Sequence, residues 1–314
     1  MPKVGLVFHP DYLKHVTGAH PERGERLIAI LNRLKEEGLY QRLIPIEPRE
    51  ASREELLYVH TEGHIERIRR ACENAPAFLD PDTAVSKDSY RVALLAAGGV
   101  ISACHKVMVG EAERAFCLIR PPGHHATKER AMGFCLFNNV AVSARLLMRR
   151  FGLKRVMIID WDLHHGNGTQ DIFYEDDAVF YISCHQRDHY PMTGYEGERG
   201  KGKGEGFTKN LPFRAGTPQE EIISSLKGAV EESAHAFRPE FILISAGFDA
   251  HRDDPLGGLT LTEAGYYELT RFLVELAEEH CGGRLVSCLE GGYNLKALAN
   301  SATAHVKGLL GETY

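Results

Sequence analysis

The sequence has no C-x-x-C pair, and its seven cysteines are an odd number. A disulfide framework and a cysteine-built zinc site are therefore not expected, and a reducing cytoplasm is the default compartment. No window of the 314 residues reaches the apolar length that spans a bilayer, so no membrane is expected. The opening MPKVGLVFHP reads as a first strand and lacks the apolar stretch and cleavage site of a signal peptide. Basic excess is missing too: 37 Lys and Arg against 43 Asp and Glu leave a net charge of −6. Nucleic acid is not an expected partner, because its phosphates demand a basic face. A lysine-rich tail or a polyamine fits the sign better. There is no internal repeat and no long disordered linker. The glycine-rich stretch 194–207 contains no G-K-[ST] and no helix follows it, so it reads as a mobile surface loop and not as a phosphate cradle.

What is present is strand-helix alternation. VGLVFH (4–9), AFCLIR (115–120), RVMIID (155–160), VFYISCH (179–185), FILISAG (241–247) and RLVSCLE (284–290) are near-continuous apolar runs. Such runs suit parallel strands covered on both faces. Helical periodicity occupies 21–39, with Pro21 near its start and Leu27, Ile30, Leu31 and Leu34 on one face. Residues 89–108 and 218–237 are similar. The pattern predicts a doubly wound α/β fold, a mostly parallel sheet with helices on both faces, in one domain over 1–314.

Four polar clusters follow four of these strands: PPGHHA, DWDLHHGNG, AGFDAH and EGGYN. In open α/β sheets ligands bind outside the carboxyl ends of strands, so the four are expected to converge. Asp162 and His164 lie two apart, on one face of an extended segment, and form a partial metal site. Asp160 points the same way and is a candidate to orient a second group. Asp249, at the end of a buried strand, is the natural third ligand, with Asp253 and Asp254 as alternatives. An Asp-His-Asp set leaves a coordination position for water, as catalytic zinc sites do, although Mn²⁺ or Fe²⁺ also suits these donors. His124 and His125, after Pro-Pro-Gly, would supply a general base and a general acid. Tyr293, after two glycines, is a candidate oxyanion donor, and Phe134 a candidate pocket wall.

PPGHHA, GFCLFNN, DWDLHHGNGTQ, SAGFDAH and LEGGYN, in this order, resemble the histone deacetylase and acetylpolyamine amidohydrolase superfamily. The resemblance runs across nearly the whole chain and implies an arginase/deacetylase-like, three-layer α/β fold. It implies zinc on Asp162, His164 and Asp249, with His125 as general base and acid and His124 as its electrostatic partner. By the same resemblance Asp160 pairs with His124, Tyr293 polarises the acetyl carbonyl, Phe134 walls an acyl-lysine tunnel, and Gly133 lets the substrate chain pass. A potassium ion near the zinc would draw on Asp160, Asp162, His164 and Ser183.

Asn167 stands where many nuclear members carry Asp; with Trp161 it resembles the class II branch and its bacterial relatives. A neutral amide stabilises a histidinium less than a carboxylate does, so His125 is expected to stay neutral more readily. Leu256 stands where polyamine-selective relatives carry an acidic gatekeeper, which tilts the expectation toward acetyl-lysine peptides over acetylated polyamines. Asp82, in LDPDT beside Asp80, is a candidate rim contact or a turn residue. A manganese ureohydrolase is the enzyme rival, disfavoured by the histidine pair and Tyr293. A non-catalytic acyl-lysine binding module is the rival of another class. Oligomerisation is left open.

Overall fold

The computed structural model describes residues 2–314. In chain order the first half contains β1 (Val4–Val7), α1 (Glu25–Glu36), β2 (Ile44–Ile46), α2 (Arg53–Leu56), α3 (Glu62–Glu73), β3 (Ala77–Phe78), β4 (Ala84–Val85), α4 (Ser89–Met108) and β5 (Arg114–Cys117). The second half contains α5 (Asn139–Phe151), β6 (Val156–Asp160), α6 (Asn167–Phe173), β7 (Val179–Gln186), β8 (Thr208–Phe213), α7 (Gln219–Phe237), β9 (Phe241–Ala246), α8 (Glu263–Cys281), β10 (Leu285–Leu289) and α9 (Leu295–Leu310).

Eight strands form one sheet in the order β2-β1-β5-β10-β9-β6-β7-β8. All seven pairings are parallel. The six apolar runs all became strands. The edge strands β2 and β8 escaped sequence reading because they are only partly buried and lack an apolar run. The four central strands β5, β10, β9 and β6 are buried at every position, as a sheet covered on both faces requires. These four are adjacent and parallel, so their carboxyl ends share one edge. The four polar clusters follow these strands, which is why residues 120 to 290 of the sequence can meet in one crevice.

Helix α1 starts at Glu25, four residues after Pro21. The preceding turn is held outside a helix: Glu22 N–H donates to His20 Nδ1 at 3.0 Å, and Thr17 Oγ1 donates to the Glu22 carbonyl at 2.6 Å. Helix α4 corrects the expectation that no segment is long and apolar enough to cross a membrane. It passes that test by length and composition, but it is a core helix, packed on β5, β10 and α5. Its Gly98 lets it lie against the backbone of Arg49 and Ala51, where an added Cβ would sit 1.8 Å from the Arg49 carbonyl oxygen.

The glycine-rich loop is anchored by Glu198. This carboxylate accepts from Gly194 and Tyr195 N–H, both at 3.1 Å, and from Gln170 Nε2 at 2.5 Å.

Candidate active site

Strand β6 ends on Asp160, and the chain then bends away from the sheet. Carboxylates fold the bend: Asp162 N–H donates to Asp160 Oδ1 (3.1 Å), Leu163 N–H to Asp249 Oδ1 (2.8 Å) and His164 N–H to Asp162 Oδ1 (2.8 Å). Asp162 and His164 therefore meet through a turn, not through the strand alternation inferred from their spacing. His164 Nδ1 lies 3.0 Å from Asp162 Oδ1 and 3.1 Å from Asp249 Oδ2. All three residues are buried. Two glycines clear the space for the carboxylates. A Cβ at Gly247 would lie 2.1 Å from Asp162 Oδ2, and one at Gly291 would lie 2.0 Å from Asp249 Oδ2.

This donor set fits a zinc-like ion. Two buried carboxylates side by side are unfavourable without a cation. Burial, followed by the charge of Asp162, pushes the Asp249 carboxyl up to about 7. Burial lowers the proton affinity of His164, but both carboxylates outweigh it and hold the imidazole up at about 10. Metal–ligand bonds of about 2.0–2.2 Å at tetrahedral angles separate ligand atoms by roughly 3.4 Å, close to the two spacings seen. Asp254, the alternative ligand, does other work. Its Oδ2 accepts from the N–H groups of Tyr293 (2.7 Å) and Asn294 (3.2 Å) and pins the Gly-Gly-Tyr turn. Asp253 is exposed.

The two histidines after β5 sit in an irregular turn with ring centroids 4.0 Å apart. Glu290, at the end of β10, holds that turn: its Oε2 accepts from Gly123 N–H (2.7 Å) and His124 N–H (3.2 Å). The two rings have opposite electrostatics. His124 Nδ1 lies 3.0 Å from Asp160 Oδ2, which also accepts from the Tyr181 hydroxyl at 3.0 Å. Burial opposes a proton on His124, but Asp160 and Asp162 outweigh it and hold the ring at about 10. His125 Nδ1 lies 2.8 Å from Asn167 Oδ1. Burial, then the neighbouring His124 and His164, holds its proton affinity well below the ordinary histidine value. The carboxylates beside His124 thus favour a proton there, while burial and the neighbouring imidazoles disfavour one on His125.

One pocket opens over these groups, and His124, His125, His164, Tyr293 and Gly291 line it. Tyr293 stays a protonated donor because burial, then Asp249, raises its phenol well above the usual range. The Arg26 guanidinium packs 5.0 Å from the centroid of its ring. Gly133, Phe134, Leu256 and Asp82 also line the pocket. Gly133 has φ 55°, and a Cβ there would stand 2.4 Å from the His125 ring. Phe134 has φ 69°, a costly conformation for a bulky residue, and its N–H donates to Thr83 Oγ1 at 3.1 Å. Ser183 pairs in register with Asp160, and its hydroxyl lies 2.8 Å from His185 Nδ1.

Sequence reading missed five contributors. His189 and Tyr190 line the pocket; Tyr190 packs edge-on against His125, with centroids 5.1 Å apart. Both follow β7, so the strand-end rule that located the other clusters could have found them. His20 packs edge-on against Phe134 at 4.4 Å, and its Nε2 lies 3.1 Å from the Asp82 carbonyl. Glu290 opens the EGGYN cluster at the end of β10, so the same strand-end rule could have found it; no local signal marks His20 or Tyr181.

A histone deacetylase domain model matches residues 20–309. A probable deacetylase of Archaeoglobus fulgidus is 46% identical over 295 residues, covering 93% of this chain and 82% of that protein. Histone deacetylase 15 of Arabidopsis thaliana is 44% identical over 298 residues, covering 93% of this chain but 53% of the plant protein. The crystal structure of the HDA15 HD domain superposes with a TM-score of 0.94 at 42% identity, covering 99% of this chain and 89% of that one. The parallel sheet and its flanking helices are thus the arginase/deacetylase-like fold, and this chain belongs to the histone deacetylase domain family.

Proposed function

We propose that this chain is a zinc-dependent amidohydrolase that removes the acetyl group from acetyl-lysine side chains, releasing acetate and the free amine. The observation that carries this reading is the convergence of three sets of groups on one pocket. These are the Asp162–His164–Asp249 donors, the closely packed His124–His125 pair, and the Tyr293 phenol.

A zinc ion held by the three donors supplies Lewis acidity toward a carbonyl and acidifies water. The chain's own residues do the rest. His125, held neutral, takes the proton from the attacking water. It then delivers that proton to the departing amine nitrogen, so the C–N bond breaks as the amine becomes neutral. His124, kept cationic by Asp160, stays out of the proton transfer and stabilises negative charge nearby. The Tyr293 hydroxyl donates to the carbonyl oxygen as it gains charge. Phe134 and Tyr190 enclose the apolar part of a lysine side chain, and Gly133 leaves room for it beside His125.

Leu256 at the pocket favours an acetyl-lysine peptide, because it offers no partner to a second ammonium. Asp82 favours the second reading, an acetylated polyamine. Its carboxyl is pushed up to about 6 by burial, then by Asp80, and a nearby cation would relieve that strain. The seven buried, unpaired cysteines suit a reducing compartment such as the cytoplasm.

The test is turnover of an acetyl-lysine peptide and of N-acetylputrescine, each with zinc and with chelator. Chelator-sensitive peptide turnover supports the proposal. Turnover of the small amine alone moves the substrate to polyamines. A zinc-loaded protein that turns over neither overturns the proposal.

A further inference from the structure

A second group of metal-ligating side chains lies far from the pocket, at the carboxyl-terminal ends of α7 and α8. His235 stands two residues before the end of α7, and Glu279 and His280 close α8. One ligand atom from each of the three lies within 4.8 Å of the other two. Glu279 Oε1 is 3.8 Å from His235 Nε2 and 3.7 Å from His280 Nε2. These spacings are too long for hydrogen bonds. They are close to the edges of a zinc coordination polyhedron, roughly 3.4 Å for bonds of about 2.0–2.2 Å.

The surroundings leave these atoms available. His235 Nδ1 lies 2.9 Å from the Glu231 carbonyl oxygen, so in the neutral ring Nδ1 carries the hydrogen and donates it. Nε2 then presents its lone pair toward Glu279. A hydrogen bond from the far ring nitrogen to a carbonyl also orients metal-binding histidines. His280 is 11% exposed at its side chain, and its Nε2 is buried with no hydrogen-bond partner. An unpartnered buried imidazole nitrogen is costly and calls for a ligand. The two imidazole rings meet nearly at right angles with centroids 5.2 Å apart. Both helices bring their negative dipole ends to this point, which favours a cation.

We infer that His235, Glu279 and His280 form a second divalent-cation site that ties the ends of α7 and α8 together. Two imidazoles and one carboxylate select zinc-like borderline ions, such as Zn²⁺, Ni²⁺ or Cu²⁺, over Mg²⁺ or Ca²⁺. With three protein ligands from two helices, its role is to clamp them.

The test uses the full chain, stripped and then reloaded with Zn²⁺, with bound metal counted after equilibrium dialysis. The wild type should hold two equivalents, and His280→Ala, Glu279→Gln and His235→Ala/His280→Ala one each, with deacetylation of the peptide unchanged. Excess Zn²⁺ should raise the melting temperature of the wild type by a few degrees and of the variants less, by mass action. A single equivalent in the wild type overturns the inference. So does a second equivalent that survives in all three variants. Because the count is independent of turnover, an inactive enzyme with two equivalents would overturn the proposed function and leave this site standing.

Discussion

At the scale of single residues, the site separates groups that exchange protons from groups that hold them. Tyr293 faces the pocket as a protonated phenol, pinned through its N–H by Asp254. Tyr293→Phe should lower kcat by about 10²–10³, the cost of one oxyanion donor, with zinc content unchanged. Unaltered turnover would remove Tyr293 from the mechanism. Asn167 is the neutral partner of His125 at 2.8 Å. Replacing it with Asp places a carboxylate there, stabilises the imidazolium and raises the proton affinity of His125. The acidic limb of the kcat/KM profile should therefore move to higher pH in Asn167→Asp, because the neutral ring is then lost sooner as pH falls. A limb that moves to lower pH would refute that pairing.

Most of the pocket's polar residues were legible because they cluster within a few positions of a strand end. Gly133 and Leu256 were reached through the family resemblance, Phe134 first as an aromatic shortly after the histidine pair, and all three line the pocket. The role of Glu290, although it opens the EGGYN cluster, and the role of Tyr181 were not legible, because each acts at one remove, holding a turn or a carboxylate from a distant part of the chain.

At the scale of elements, the turns after the strands need anchors as much as the strands need partners. Asp254 anchors the turn after β10. Asp254→Ala should free the Tyr293 backbone and lower kcat by up to about 10²-fold, since small misplacements of reacting groups are that costly. Zinc content should stay the same; its loss would return Asp254 to the ligand set. A second anchor joins the segment before α1 to the loop after β5. Glu22 accepts from Arg120 Nε and Nη2, both at 2.8 Å, and lies 3.3 Å from Arg26 Nη1, with all three side chains fully buried. Burial alone would raise the Glu22 carboxyl, but Arg120 prevails and holds it down at about 2. Glu22→Ala strands two buried guanidinium groups and should cost about 3–5 kcal/mol. Glu22→Ala/Arg120→Met should recover much of that in urea unfolding. An equal loss in both variants would show that the damage lies elsewhere.

Apolar runs made the central strands readable and helical periodicity exposed α4 and α7. Helix α1 proved shorter because side chains capture the backbone around Glu22, a contact no periodicity encodes. The edge strands and the β3–β4 hairpin carry too little apolar signal, since one side of each meets solvent.

At the scale of the whole molecule, burial of histidine sets the response to acid. Burial is the leading cause that holds His15 at about 4, His60 at about 3 and His305 at about 3. Each takes up a proton less readily when folded than when unfolded. As pH falls below about 6.5 the unfolded chain gains protons first, so stability drops by about 1.4 kcal/mol per pH unit per group. That loss continues until each folded value is reached. Asp249 and Asp82, pushed up to about 7 and about 6, act with the opposite sign over the same range, because they take up protons in the folded state first. The urea midpoint, measured in chelator to exclude metal release, should therefore fall between pH 7 and pH 5 by less than the three rings alone would give. A midpoint that rises as pH falls would mean that the carboxyls, and not the buried rings, dominate the response.

The strand order has a further consequence, for how the chain is made. Strand β10 sits between β5 and β9 in the middle of the sheet, yet it is the last strand in the sequence. During synthesis β2-β1-β5 and β9-β6-β7-β8 leave the ribosome as two unjoined halves, each with an open apolar edge. Neither half can close until residues 285–289 emerge and wedge between them. Pairings between segments so far apart form slowly, and exposed edges invite aggregation. The nascent chain should therefore need a holding chaperone until residues 285–289 have left the ribosome.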